Sequence, residues 1–177
     1  MVTDPDQPLP FLKTRPRDLA RHALVVGDPG RVALAAELLT NAAEVGGFRE
    51  YRTFTGEFAA KRVTIASHGI GGAGASLCFE ELIQGGVKTI IRAGTCGAMR
   101  NGIKDGELII GTGAIREDGT SDSLVPIAYP GVADRHVISA LEAAAAAQDF
   151  NRIHEGIILT QGFFYNGILP STTDLWL

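Results

Sequence analysis

Two arginines stand in loops built from glycine and other small residues. Arg31 closes the segment Gly27-Asp28-Pro29-Gly30-Arg31, and Arg92 opens Arg92-Ala93-Gly94-Thr95-Cys96-Gly97. Glycine lets a backbone approach an anion, and N–H groups before a helix N-terminus lie where the dipole favours negative charge. A guanidinium adds a planar fork suited to phosphate. Together the Gly27 amide, Arg31, Arg92 and the Thr95 hydroxyl would suit one phosphate. Taken one loop at a time, the same residues read equally well as ordinary turns with surface arginines.

A third loop, His68-Gly69-Ile70-Gly71-Gly72-Ala73-Gly74, matches G-x-G-x-x-G through Gly69, Gly71 and Gly74. Between a strand and a helix that pattern is a dinucleotide fingerprint, and it supports an NADP-dependent oxidoreductase as a rival. The fingerprint expects an acidic residue about 20 positions on. Arg92 stands there instead, where it could accommodate a 2′-phosphate. Of His22, His68, His136 and His154, only His68 lies in a glycine loop at a strand end, and the four show no metal-ligand spacing. Cys96 could line a pocket, although an inert buried thiol is the plainer reading.

The elements that must hold these loops are short. Ala23-Leu24-Val25-Val26 reads as a strand, followed by a helix with Val32, Leu34, Ala35, Leu38 and Leu39 on its apolar side. Two strands are expected near 49–55 and 61–66, joined by a turn around Gly56. A helix carrying Leu77, Cys78, Leu82 and Ile83 ends at Gly85-Gly86. Strands follow at 89–91, 108–110 and 157–159. Residues 116–129 read as a polar loop, and Asp134 as the N-cap of an alanine-rich helix running to Gln148. Strands alternating with helices imply a layered α/β sheet whose ligands sit beyond the carboxyl ends of the strands. Residues 1–20 read as an extended, proline-punctuated arm or a loose terminus. Residues 21–177 read as a single domain.

At 177 residues, 45% hydrophobic and 20% charged, the chain has the makeup of one globular domain and not of a disordered segment. A net charge of −4 leaves no basic footprint, so nucleic acid is not expected as a partner. No apolar run approaches the ~18 residues that span a bilayer, so no membrane association is expected either. The two cysteines, Cys78 and Cys96, form no CxxC pair. No zinc site or disulfide framework is expected, and a cytoplasmic location is the default.

Taken together, Gly27-Asp28-Pro29-Gly30-Arg31, Arg49-Glu50-Tyr51, His68-Gly69-Ile70-Gly71 and Arg92-Ala93-Gly94-Thr95-Cys96-Gly97 resemble, in order and spacing, the nucleoside phosphorylase family of purine nucleoside and uridine phosphorylases. The resemblance runs from about residue 24 to 171. The segment Phe163-Phe164-Tyr165-Asn166-Gly167-Ile168-Leu169-Pro170-Ser171 looks most like the purine enzymes of apicomplexan parasites. The resemblance implies a three-layer α/β domain with a mixed, twisted sheet, assembled as homodimers or trimers of dimers. It implies phosphorolysis of a nucleoside to free base and ribose 1-phosphate, with inorganic phosphate as co-substrate and neither cofactor nor metal. Carried over by position, Gly27, Arg31, Arg92 and Thr95 would bind phosphate. Arg49 would reach the phosphate of the neighbouring subunit, and Cys96, Gly97 and Phe164 would border base and sugar.

The sequence departs from the family in three places. Family members continue past the position of Leu177 with a glutamate motif for the ribose hydroxyls and, in purine enzymes, an aspartate general acid. The expectation is therefore a domain incomplete at its C-terminus, with its catalytic residues unassigned. A catalytically impaired relative that binds nucleoside or phosphate is the alternative. Phe11 aligns best with an arm histidine that contacts the sugar 5′-hydroxyl, which points to a hydrophobic 5′ substituent. Gly162 replaces an aspartate, and Asn166-Gly167-Ile168-Leu169 lacks the Gln-x-Arg pair of uridine enzymes, which leaves a purine nucleoside as the expected substrate.

Overall fold

In the computed structural model, which describes residues 4–148, 150 and 152–164, the first apolar run forms strand β1 (His22–Val26). Its side chains alternate between two cores, as a strand buried on both faces requires. Ala23 and Val25 join Leu9, Leu12, Tyr51, Cys78 and Leu82 on one face, while Val26 joins Val32 and Ile65 on the other. The first core lies under helix α2 (Gly71–Gln84) and the arm; the second lies under helix α1 (Pro29–Ala36). Asp28 caps α1 by accepting from the Gly30 N–H at 2.7 Å, and Pro29 occupies the first turn, where a missing N–H has no consequence.

The chain divides into two compact units, Met1–Cys96 and Gly97–Leu177. The first holds a mixed five-stranded sheet in the order β2-β3-β4-β1-β5, with β2 Thr40–Phe48, β3 Tyr51–Phe58, β4 Lys61–Ser67 and β5 Thr89–Arg92. Strand β1 runs parallel to both β4 and β5, while β2, β3 and β4 form an antiparallel meander. The second unit holds the sheet β7-β6-β8, with β6 Leu108–Glu117, β7 Gly131–Val132 and β8 Ile153–Gln161. It also contains the short helix α3 (Ser121–Leu124) and helix α4 (Arg135–Ala147), and α4 packs on β6. Asp134 caps α4 through the His136 and Val137 N–H groups, as expected. The protein is thus a mixed α/β fold.

Several local expectations change. Strand β2 was not foreseen, because its sequence, Thr-Asn-Ala-Ala-Glu-Val-Gly-Gly-Phe, lacks alternation and much of it is exposed. The turn between β3 and β4 falls at Ala59-Ala60, not at Gly56, which lies within β3. A side chain on Gly56 would meet the Thr40 carbonyl oxygen at 2.9 Å. Residues 116–129 are not wholly loop: β6 continues to Glu117, and α3 follows. The arm is also not loose, since Leu9, Leu12 and Thr14 are buried.

Ala59 and Ala60 have φ of 48° and 60°, the paired left-handed pattern of a tight hairpin turn, but neither is glycine or asparagine. An L-residue there costs roughly 1–2 kcal/mol. The double substitution Ala59→Asn/Ala60→Gly is expected to stabilise the protein by about 1 kcal/mol, read as a higher urea midpoint at unchanged slope.

Candidate functional site

The three parallel strands β4, β1 and β5 end side by side, and each end carries one of the loops singled out in the sequence. The Gly27 loop follows β1. The His68 loop follows β4 and is tied to the end of β1 and the Gly27 loop: the His68 N–H donates to the Val26 carbonyl at 3.0 Å, and the Gly69 N–H to the Gly27 carbonyl at 2.9 Å. The Arg92 loop follows β5, and its Ala93 N–H donates to the Val25 carbonyl at 2.9 Å. Gly69 has φ +73°, and a β-carbon there would collide with Glu50 Cγ, so this junction accepts no side chain.

Arg92 leans back across β1. Its Nε donates to His68 Nε2 at 2.9 Å, and its terminal nitrogens lie against Gly94, where a β-carbon would come within 2.6 Å of one of them. His68 is 4% exposed, stacks edge-on against Phe79 with ring centroids 6.0 Å apart, and leaves Nδ1 buried without a hydrogen-bond partner. Burial, reinforced by the neighbouring Arg92 charge, lowers its pKa below the ordinary histidine value, against a smaller opposing effect of the His68 and Gly69 main chain. Arg31 occupies the first turn of α1 and is exposed, as is Thr95 beyond Arg92.

The remaining expected residues are placed as follows. Arg49 sits at the tip of the β2–β3 hairpin with φ +56°, its guanidinium 5.3 Å from the Phe48 ring centroid. Cys96 is exposed, so the buried-thiol reading fails for it; it belongs instead to Cys78, whose burial pushes the thiol up to about 12. Gly97 and Phe164 belong to the second unit, where Phe164 is 77% exposed. Residues 165–171 of the aromatic segment lie outside the described residues. Among the described residues, no three His, Cys, Asp or Glu side chains are grouped to hold a metal ion, and no helix is long and apolar enough to cross a membrane.

A family model described as the Phosphorylase superfamily matches residues 21–168. The chain belongs to the phosphorylase superfamily. It is 42% identical to a uridine phosphorylase of Thermococcus kodakarensis, covering 89% of this chain and 59% of that one. It is 37% identical to a guanosine phosphorylase of Halorubrum lacusprofundi, covering 89% and 65%, and 37% identical to a purine nucleoside phosphorylase of Plasmodium falciparum, covering 96% and 69%. The chain thus spans about three-fifths to two-thirds of the length of these relatives. The crystal structure of the purine nucleoside phosphorylase from Toxoplasma gondii in complex with immucillin-H superposes with a TM-score of 0.86 at 36% identity, covering 99% of this chain and 71% of that one. A Vibrio fischeri uridine phosphorylase gives 0.85 at 31% identity, covering 88% and 65%.

These relatives do not favour the oxidoreductase reading of the glycine loop. In the structure the Gly69 N–H is already engaged by the Gly27 carbonyl, so it is not free to bind a pyrophosphate. Two features of this superfamily member were not singled out from sequence. One is the His68–Arg92 bond, which depends on β4 and β5 flanking β1. The other is Glu81, a buried carboxylate of α2 that accepts from the Phe11 and Leu12 N–H groups of the arm. Its signal was available, since Glu81 falls on the same helical stripe as Cys78 and Leu82.

Proposed function

We propose that the protein cleaves the N-glycosidic bond of a nucleoside with inorganic phosphate, releasing free base and ribose 1-phosphate. The observation that carries this reading is the convergence of the Gly27 and Arg92 loops at the ends of adjacent parallel strands in a chain of this superfamily. In the proposed assignment Gly27, Arg31, Arg92 and Thr95 hold phosphate. Arg49 reaches the phosphate of a neighbouring subunit, and Cys96, Gly97 and Phe164 border base and sugar. The phosphorylase-type domain, incomplete at its C-terminus, spans residues 21–177 after an arm over 1–20, and it works as a homodimer or trimer of dimers in the cytoplasm, without cofactor or metal.

The chemistry asks for such a site. Breaking the bond builds positive charge on the sugar, as in an oxocarbenium-like transition state. A fixed phosphate dianion is then both nucleophile and counter-charge. Arginines that hold it contribute by positioning and electrostatics, and protonation of the leaving base helps further.

A purine substrate is favoured by the absence of a Gln-x-Arg pair at 166–169 and by the purine and guanosine enzymes among the relatives. A pyrimidine is the second reading, favoured by the 42% identity to a uridine phosphorylase. Phe11 lies with its ring edge-on to Tyr51, centroids 6.3 Å apart, and cannot hydrogen-bond a 5′-hydroxyl. An apolar 5′ substituent such as methylthio is therefore expected to be accepted.

Release of free base from inosine, adenosine, methylthioadenosine and uridine, each with and without phosphate, tests the reading. Phosphate-dependent release from purine nucleosides is expected, with methylthioadenosine used at least as well as inosine. A strong inosine preference sinks the 5′ reading, and release from uridine alone sinks the purine one. Binding of nucleoside or phosphate without turnover would mark a catalytically impaired relative.

A further inference from the structure

We propose that His68 is a positioning residue which, as a neutral imidazole protonated only at Nδ1, clamps the Arg92 guanidinium through Nε2 and thereby makes anion binding at the strand ends dependent on pH. This rests on the phosphate site proposed above and extends it to a residue that touches arginine and not the anion.

The tautomer follows from the donor inventory. A guanidinium nitrogen donates and cannot accept, so the 2.9 Å contact between Arg92 Nε and His68 Nε2 requires a lone pair on Nε2. The ring proton is then on Nδ1, the buried nitrogen without a hydrogen-bond partner. An imidazolium would have no acceptor to offer and would set two cations at hydrogen-bond distance. Holding Nε fixes the guanidinium plane and leaves the two terminal nitrogens, beside Gly94, as the fork presented beyond β5.

The ring is enclosed by groups that do not compete for this role. Helix α2 presents Phe79, the β1–α1 loop presents Gly27, and β5 presents Arg92, the charged group that acts on the ring among the described residues. Two other titratable groups touch the loop that carries His68: Glu50 packs at Gly69, and the Tyr51 hydroxyl donates to the Gly74 carbonyl at 3.3 Å. Burial and the arginine both lower the His68 pKa below the ordinary histidine value, which favours the neutral ring that the clamp requires. The clamp is therefore intact at neutral pH and is released as pH falls through the lowered folded-state pKa.

Sulfate is the appropriate probe, because it remains a dianion where phosphate titrates. Calorimetric titration of the full chain with sulfate between pH 5 and 8 is expected to show constant affinity from pH 8 downward and a fall at the acid end. His68→Leu should weaken sulfate about tenfold at pH 7.5, the loss of one charge-assisted hydrogen bond. His68→Gln, whose amide oxygen can accept from Arg92 Nε, should stay within about threefold of wild type and lose the acid fall.

Nitrogen-15 NMR of the imidazole in the unmodified protein reads the tautomer without any ligand, so it decides even if a variant fails to fold. A protonated Nε2, affinity that rises in acid, or a cooperatively folded His68→Leu protein that binds as wild type would each overturn the clamp. Wild-type protein that binds neither sulfate nor phosphate would instead overturn the phosphate site and the pH dependence with it, and the tautomer would still decide whether the pair is formed.

Discussion

Arg92→Ala is expected to weaken phosphate use by about 10²–10³-fold, the range found when one preorganised donor to a developing or bound anion is removed. Arg92 ends β5, its Nε is bound to His68, and its side chain is exposed, so its removal empties no core. The melting transition should therefore stay close to that of wild type while the phosphate concentration needed for half-maximal base release, or for half-saturation, rises steeply. Arg92→Lys should recover only a small part of the loss. An ammonium keeps the charge but has no second edge to present once it is hydrogen-bonded to His68. Loss of the arginine should also let the His68 pKa move back toward the ordinary histidine value, because the Arg92 charge is one of the causes that lower it. Phosphate dependence that is the same in Arg92→Ala and wild type would remove Arg92 from the site.

Much of this site was legible because its parts are local in sequence. A strand that stops at a glycine, a proline at the first helical turn and an arginine two residues further on specify a strand–loop–helix junction within ten residues, and the structure has it from β1 to α1. The same holds for Asp134, whose side chain caps α4 through bonds only two and three residues away. What could not be read was whatever depends on strand order. His68 and Arg92 are 24 residues apart, and they meet only because β4 and β5 both pair with β1. Strand β2 escaped for another reason. Its exposed residues show no alternation of apolar and polar side chains, and it is held by its ladder with β3 across two irregularities of register. The misplaced turn at Gly56 shows the limit of glycine as a signal: that glycine relieves crowding inside a strand, whereas two alanines take the left-handed turn.

The arm gives the second large effect. Its composition, rich in proline and aspartate before Pro10, offered no reason to expect order, yet Leu9 and Leu12 are buried in the core under α2. The 3-10 turn Pro16–Asp18 is held by Arg62, whose guanidinium donates to the Arg17 and Asp18 carbonyls. Glu81 completes the attachment. Its Oε1 accepts from the Phe11 N–H at 2.8 Å, and its Oε2 from the Leu12 N–H at 2.8 Å and from Phe11 at 3.1 Å.

Glu81→Ala leaves the buried Leu12 N–H and the part-buried Phe11 N–H without partners, and a buried donor left unpaired costs about 1–3 kcal/mol. A loss of about 3 kcal/mol in unfolding free energy is therefore expected, measured by urea denaturation. Glu81→Gln should lose less, because its single amide oxygen still accepts while its NH2 faces a donor. Hydrogen exchange separates this attachment from a general loss of packing. In Glu81→Ala the Phe11 and Leu12 amides should exchange much faster, while those of β1 and β4 slow or quicken only with global stability. A loss below about 0.5 kcal/mol, within the range of ordinary surface changes, would mean that Leu9 and Leu12 alone secure the arm. Because the same bonds fix Phe11 against Tyr51, any substrate contact made by Phe11 should weaken in step with the exchange of its amide.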